Sequence, residues 1–297
     1  ADKIWSGDEI ARISGWAVKG MLGKAYVYTQ QWALASAKLK EVIDGSGKTL
    51  VPFDVYKEMF NGQFEFNNES LLEINYMRDE PNQYSNDNGV GNRLSLYTSP
   101  AYFDENGDYT TNGYSNYFIH EKNLSRFGFK GTAITPEELQ DPAYLTASAT
   151  ARNSKTTDPR LWVAAYQPYL DSLTWDDQAK PIAKIVGSGV STENIQAWSW
   201  HKYVLTDKRI WDGNVSNGNN MFILRLAEVY LLYAEAVMKT GNNAESLEYI
   251  NKVHRRAYDQ PVDAPSAFDY GSLTAATKAS DPALSNDPLK YEKWAEL

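Results

Sequence analysis

The 297-residue sequence contains no cysteine, so neither a disulfide framework nor a thiolate metal site can be built from it. Histidine is nearly as scarce: His120, His201 and His254 are all there are, and no two stand at the spacing of a metal-binding pair. Basic residues are outnumbered, with 29 Lys and Arg against 38 Asp and Glu and a net charge of −9. A nucleic-acid partner requires a basic surface, so that class is set aside. No run approaches the ~20 apolar residues of a membrane span. Ala1-Asp2-Lys3-Ile4-Trp5 lacks the basic and apolar regions of a signal peptide, and the last residues stop inside a helical pattern without a cap. The chain is therefore expected to be part of something longer. Catalytic signatures are missing too: there is no Gly-x-Ser-x-Gly elbow and no cysteine nucleophile. The adjacent carboxylates Glu137-Glu138 and Asp176-Asp177 point apart on any regular element, which makes them poor acid/base pairs. No metal or cofactor is expected.

What is abundant is aromatic: 9 Trp, 20 Tyr and 10 Phe in an otherwise ordinary globular composition. Tyr and Trp join a flat apolar face to a polar edge, which suits amphipathic ligands as well as cores. The clearest periodicity runs from Met221 to Tyr258. Ile223, Leu226, Ala227, Tyr230, Leu231, Ala234, Val237 and Met238 recur in steps of three and four, the mark of one apolar helix face. Thr240-Gly241-Asn242-Asn243 breaks the run, and a second helix carries Ala244, Leu247, Ile250, Val253 and Ala257. Two helices with so short a turn pack as an antiparallel hairpin. At an offset of 211 residues, Ala25 falls on Ala236, Ala33 on Ala244 and Val42 on Val253. This internal similarity is of the tetratricopeptide type.

The ordered string Arg225-Leu226-Ala227-Glu228, Tyr233-Ala234-Glu235-Ala236 and Tyr249-Ile250-Asn251-Lys252-Val253 closely resembles the C-terminal helical hairpin of the SusD/RagB family. Further landmarks follow the family's order. Gly20 to Ile43 is similar to an earlier hairpin, and Asn68-Glu69-Ser70-Leu71-Leu72-Glu73-Ile74 to the strand that leaves the helical frame. Thr135-Pro136-Glu137-Glu138-Leu139, Asp158-Pro159-Arg160 and Lys202-Tyr203 come next. Tyr291 to Leu297 resembles the family's Glu-Arg-x-x-Glu-Leu helix only faintly, with Lys293 where Arg is expected. The resemblance implies a mainly α fold: a tetratricopeptide-like α/α helical-hairpin scaffold with an irregular, loop-rich insertion and a few short strands. Within one SusD-like domain, 1–60 and 221–297 would be scaffold and 61–220 the ligand-facing insertion. It also implies a surface lipoprotein of the outer membrane that binds oligo- or polysaccharide and works with a SusC-like TonB-dependent transporter. The lipid anchor and the family's N-terminal helices lie outside this chain, so membrane contact would come only through that anchor.

Local signals fill in the order of elements. Ser6 with Glu9 fits a capping box for a helix running towards Tyr28, and Trp32 to Ile43 makes a second helix. Phe53 to Phe60 reads as a short helix, Ser70 to Tyr76 as a strand, Thr135-Pro136 as a helix start and Leu161 to Gln167 as a strand. Asp281-Pro282 and Asp287-Pro288 are further helix starts. Gly47-Lys48-Thr49 imitates a phosphate loop, but Val42 stands where that motif needs glycine, so it reads as a helix end and turn. Asp104 to Ser115 imitates half a calcium loop without its glycine or its final Glu. Arg160 is placed to pair bidentately with a carboxylate. Glu228 and Glu235 read as scaffold contacts with Arg or capping groups, and His254 as a cation near a helix end.

From Met77 to about Tyr117 no period is sustained, and a stretch of that kind inside a compact protein is a functional loop or a disordered one. Its tyrosines favour function. A sugar ring offers an apolar C–H face and a rim of hydroxyls, so flat aromatics and polar side chains together recognise it. The expected platforms are Tyr97, Tyr102, Tyr114 and Tyr117, with Asn88 and Arg93 as polar partners and Trp175 and Trp198 in reserve. A helical-repeat scaffold that binds a protein or peptide is the second reading. A glycoside hydrolase is the third, and it would need two facing carboxylates beside the aromatics.

Overall fold

The computed structural model describes residues 5–76, 91–98, 102–103, 118–131, 133, 135–175, 178–181, 184–185, 198–205 and 217–297. The chain forms two compact units. One takes the residues up to 56 together with 65–74 and 221–297, and the other takes 57–64 and 75–220. The strand read as the start of the insertion therefore belongs to the helical unit, and 57–64 belongs to the other. Helix dominates the described residues, with eleven helices against nine short strands.

The helical unit begins with α1 (Gly15–Tyr28) and α2 (Trp32–Gly45). Ser14 caps α1 by accepting the Ala17 N–H at 3.1 Å. The expected start at Ser6 gives only a single 3-10 turn, Gly7–Glu9, with no side-chain cap. Gly7 sits at φ +58, a left-handed backbone that an α-helix cannot continue through. The two helices pack against each other across Gly23, where an added Cβ would lie 2.6 Å from Leu39 Cγ. Leu39, Ala35 and Val42 are fully buried in that seam. The Asp44-to-Thr49 segment is a helix end and turn, as read, with Gly47 at φ +68. α3 (Phe53–Glu58) and β1 (Ser70–Ile74) follow.

β9 (Met221–Arg225) pairs antiparallel with β1, Ser70 opposite Arg225 and Ile74 opposite Met221. The chain then enters α9 (Leu226–Lys239), turns at Gly241 (φ +95) and returns as α10 (Asn243–Ala257), the hairpin the periodicity predicts. α9 packs on α2, and α11 (Pro288–Glu296), capped by Asp287, closes on α9 and α10. Asp281, by contrast, caps only a turn, through the Ala283 N–H. Lysines hold the two α9 carboxylates: Lys24 meets Glu228 at 2.6 Å and Lys293 pairs with Glu235. Lys293, the departure from the family string, thus keeps a cation at that place.

Four charged side chains lie at the centre of this unit. Arg225 Nη1 reaches Glu69 at 2.8 Å and Glu296 at 2.9 Å, while Arg256 reaches Glu69 at 3.0 Å and also pairs with Glu296. Burial works against the charge on Arg225, but Glu296 and Glu69 outweigh it and hold its pKa above the ordinary value. His254 is no exposed helix-end cation. It is buried, with Nδ1 2.7 Å from Glu292, which also accepts from Tyr270 Oη at 2.9 Å.

The second unit holds α4 (Leu94–Thr98), β2 (Tyr102–Phe103), β3 (Phe118–Ile119), α5 (Glu121–Arg126), α6 (Pro136–Leu139), α7 (Pro142–Asn153), α8 (Leu161–Ala164), β4 (Ala165–Tyr166), β5 (Ser172–Trp175), β6 (Gln178–Pro181), β7 (Lys184–Ile185) and β8 (Trp198–Trp200). α6 starts at Thr135 with the full reciprocal capping box. Asp158 and Arg160 form a fully buried bidentate pair at 3.0 and 2.7 Å. That pair corrects the reading of 161–167 as a strand. Leu161 N–H bonds to Asp158 and Ala164 N–H to Arg160, so the locked turn propagates as one helical turn before β4 begins. β8 is the middle strand of β3-β8-β4, antiparallel to both neighbours.

Candidate functional site

The second unit brings together a set of asparagines that composition had flagged only as loop-like. Asn92 and Asn217 exchange backbone hydrogen bonds at 2.8 and 2.9 Å. Asn92 Nδ2 donates to the Asn219 carbonyl at 2.8 Å, and Asn219 Nδ2 donates to the Phe60 carbonyl at 2.9 Å. Asn220 Oδ1 accepts the Tyr76 N–H at 3.1 Å. All four asparagines are at most 3% exposed. The Asn92, Asn219 and Asn220 side chains, hydrogen-bonded in this way, fix the backbone where segments far apart in sequence meet, while the buried Asn217 Nδ2 is left without a partner among the described residues.

This clasp also starts α4. Asn92 Oδ1 accepts the Leu94 N–H at 2.8 Å, an Asx turn at the entry to a five-residue helix too short to stand alone. Ser95 Oγ donates to the Tyr203 carbonyl at 2.6 Å, and Leu96 is buried. Tyr203 in turn stacks edge-on against Phe60, centroids 5.5 Å apart, with the Lys202 ammonium 4.8 Å from the same ring. The residues of α4 that point inward are therefore held, and Tyr97 is left 37% exposed. Arg93 stands one helical turn before it, half-buried. Of the expected site residues, these two are the ones whose side chains the structure describes at a surface.

Trp198 is a correction. It is 2% exposed and packs edge-on against Phe129 with centroids 4.8 Å apart. Its place on the central strand of a three-stranded sheet buries it, so it is a core residue and presents no platform. Tyr102 lies in β2, with backbone paired to Ile185, and Trp175 lies in the β5–β6 hairpin; their side chains are outside the described residues. Asn88, Tyr114, Tyr117 and the calcium-like loop also lie outside them.

A second polar and aromatic cluster surrounds β4 and β8. His201 Nδ1 donates to the Trp162 carbonyl at 2.7 Å, and its ring lies 4.0 Å from that of Tyr166. Burial lowers the His201 pKa, opposed by the hydrogen bond to Trp162. Arg152 pairs with Asp171 at 2.7 Å and sits 4.7 Å from the Trp162 ring. None of this makes an acid/base pair: Asp171 is held by Arg152, as Asp158 is by Arg160. Among the described residues no group of His, Asp and Glu could hold a metal ion.

The profile of the SusD family matches residues 68–278. The chain belongs to the SusD family. It is 22% identical over 261 residues to the SusD-like protein P25 of Formosa agariphila, covering 86% of this chain and 44% of that protein. A crystal structure of a SusD-like protein from Bacteroides fragilis superposes with a TM-score of 0.67 at 18% identity, covering 98% of this chain and 53% of the other. A laminarin-binding SusD-like protein gives a TM-score of 0.52 at 22% identity, covering 91% and 51%. The chain thus spans about half the length of the SusD-family proteins it matches. The helical unit carries the string that names the family, and the Asn92–Asn220 clasp lies inside the matched span.

Proposed function

We propose that this chain binds oligo- or polysaccharide without cleaving it, as part of a surface-exposed, lipid-anchored protein of the outer membrane that delivers glycan to a TonB-dependent transporter. The observation that carries the reading is Tyr97: a flat aromatic kept at the surface by a short helix whose inner side is fixed on a buried asparagine clasp. Pre-organised display of this kind spares a ligand the ordering cost of a free loop. SusD-family membership supports the glycan as ligand, and one relative in fold is described as laminarin-binding. Tyr97 and Arg93 are the core of the proposed site, with Tyr102, Tyr114, Tyr117, Asn88 and Trp175 as further members. Binding per site is weak and is strengthened by many sites along one polymer.

Affinity electrophoresis against a polysaccharide panel that includes laminarin, with product analysis of the same samples, tests this. Retardation without cleavage is expected, reduced in Tyr97→Ala. Sugar release would move the chain to the hydrolases. One observation favours the second reading, a protein or peptide partner: Val18, Met21, Leu22 and Tyr28 of α1 are exposed. If no glycan retards the chain and Tyr97→Ala behaves as wild type, that reading takes over.

A further inference from the structure

The helical unit contains a cavity of about 190 Å³ of its own, lined by Trp5, Arg12, Trp16, Lys48, Phe66 and Glu73 among others. Three aromatic rings and two cations converge on one concave surface, which is where a small ligand finds both burial and orientation. Each ring is held there by a specific contact. Trp16, in the first turn of α1, lies against Gly45, where an added Cβ would come 2.4 Å from the indole Cη2. Trp5 is tethered by its indole N–H to the Ile13 carbonyl at 3.1 Å, with the Arg12 guanidinium 5.3 Å from its ring. Phe66 adopts φ +51, uncommon for a bulky residue, and Glu73 Oε1 holds it by accepting its N–H at 2.7 Å. Strain of this kind persists where surrounding structure enforces it, and it gathers at binding sites.

Lys48 sets the chemistry. It is half-buried, and its ammonium donates to the Asn67 carbonyl at 3.1 Å, which leaves two of its three N–H groups for a ligand. Burial lowers its pKa, opposed by the nearby Glu73. The Glu73 carboxylate, which accepts from Phe66, lines the same cavity. Arg12 has an exposed partner in Glu9 at 3.4 Å, a pair that water screens and a ligand can displace. We infer that this cavity is a second sugar subsite, built for a ring that bears a carboxylate: a uronic acid residue whose C–H face lies on the indoles and whose carboxylate meets Lys48 and Arg12. The ligand class rests on the proposed glycan-binding reading, whereas the position and the charge preference do not.

The test is titration of the 297-residue chain with oligogalacturonate and with a neutral gluco-oligosaccharide of equal length, read by tryptophan fluorescence and calorimetry. Wild type should bind the uronide more tightly than the neutral oligomer. Lys48→Met should weaken uronide binding about tenfold or more, and Lys48→Arg should keep most of it. Gly45→Ala, which displaces Trp16, should weaken both ligands at this cavity. Thermal melts of each variant separate lost binding from lost folding. Equal binding of both oligomers, or uronide binding indifferent to Lys48→Met, overturns the inference. If laminarin is retarded through Tyr97 while the uronide finds no site, only the cavity assignment fails. If nothing in either panel binds, the glycan reading fails with it.

Discussion

Arg225, Arg256, Glu69 and Glu296 meet with none of them more than 6% exposed, and Arg256 also lies 3.8 Å from the Tyr56 ring centroid. Such a network is asymmetric in its effects. Intact, it roughly offsets its own desolvation; with one partner removed, a charge is left buried and uncompensated. Arg256→Met should cost about 3–5 kcal/mol in urea unfolding, because Glu69 and Glu296 each lose a cation. Lys38→Met, which removes the cation from a more exposed pair with Glu41, should change stability by less than about 0.5 kcal/mol. Similar losses from both variants would show that the central network is solvated. That Arg160 would take a carboxylate could be read in the sequence, and the structure supplies Asp158, two residues away, as that partner. Glu69 and Arg256 could not be read as partners, since 187 residues separate them and nothing local to either names the other.

The turn and α10 were legible because an apolar period and a Gly-Asn turn are local signals. The period also carries helix back to Ile223, whereas Met221–Arg225 is strand β9, fixed by pairing with β1, and α9 starts only at Leu226. α1 shows where that kind of reading ends. Ala17, Gly20, Gly23 and Val27 are buried while Val18, Met21 and Leu22 are exposed, so apolar character runs around the helix and does not mark the packed face. The packed face is marked by its small residues. Gly23→Ala should therefore destabilise by about 1–3 kcal/mol despite alanine's better helix propensity, since its Cβ meets Leu39. A gain in melting temperature would mean that the α1–α2 seam can open at no cost. α4 was missed because its start depends on Asn92 bonding to Asn217 and Asn219, partners more than a hundred residues on. Asn92→Ala removes the helix entry and strands the Asn219 carbonyl, costing about 1–3 kcal/mol in chemical denaturation. If the proposed site is right, Asn92→Ala should also weaken retardation by whichever glycan retards the wild-type chain, although residue 92 is buried. Normal retardation in Asn92→Ala would separate the clasp from the site.

For the chain as a whole, the depressed pKa of His201 links stability to pH. The unfolded chain binds a proton near the ordinary histidine value of about 6.5, and the folded chain binds it only at lower pH. The His201 contribution is therefore complete above about pH 6.5 and is lost as pH falls through the folded value. Melting temperature should drop between pH 7 and pH 5, and His201→Gln should flatten that slope. An unchanged slope would place the acid sensitivity elsewhere. The expected frame at 1–60 and 221–297 followed from the family resemblance, and nothing in the sequence placed 65–74 with it, because only pairing with β9 does so.

The same long-range network sets an order on synthesis. Glu69 leaves the ribosome 187 residues before Arg256, and Glu296 comes later still. At about 5–20 residues per second, β1 and the α1–α2 hairpin wait on the order of ten seconds or more before their buried carboxylate has a counter-charge. Through that interval the nascent chain carries exposed apolar helix and an unpaired strand edge, the two features that recruit chaperones and seed aggregates. Folding of the frame thus waits on its last partners, so Glu296→Ala, which leaves Arg225 and Arg256 to share Glu69, should raise light scattering during refolding of the helical unit.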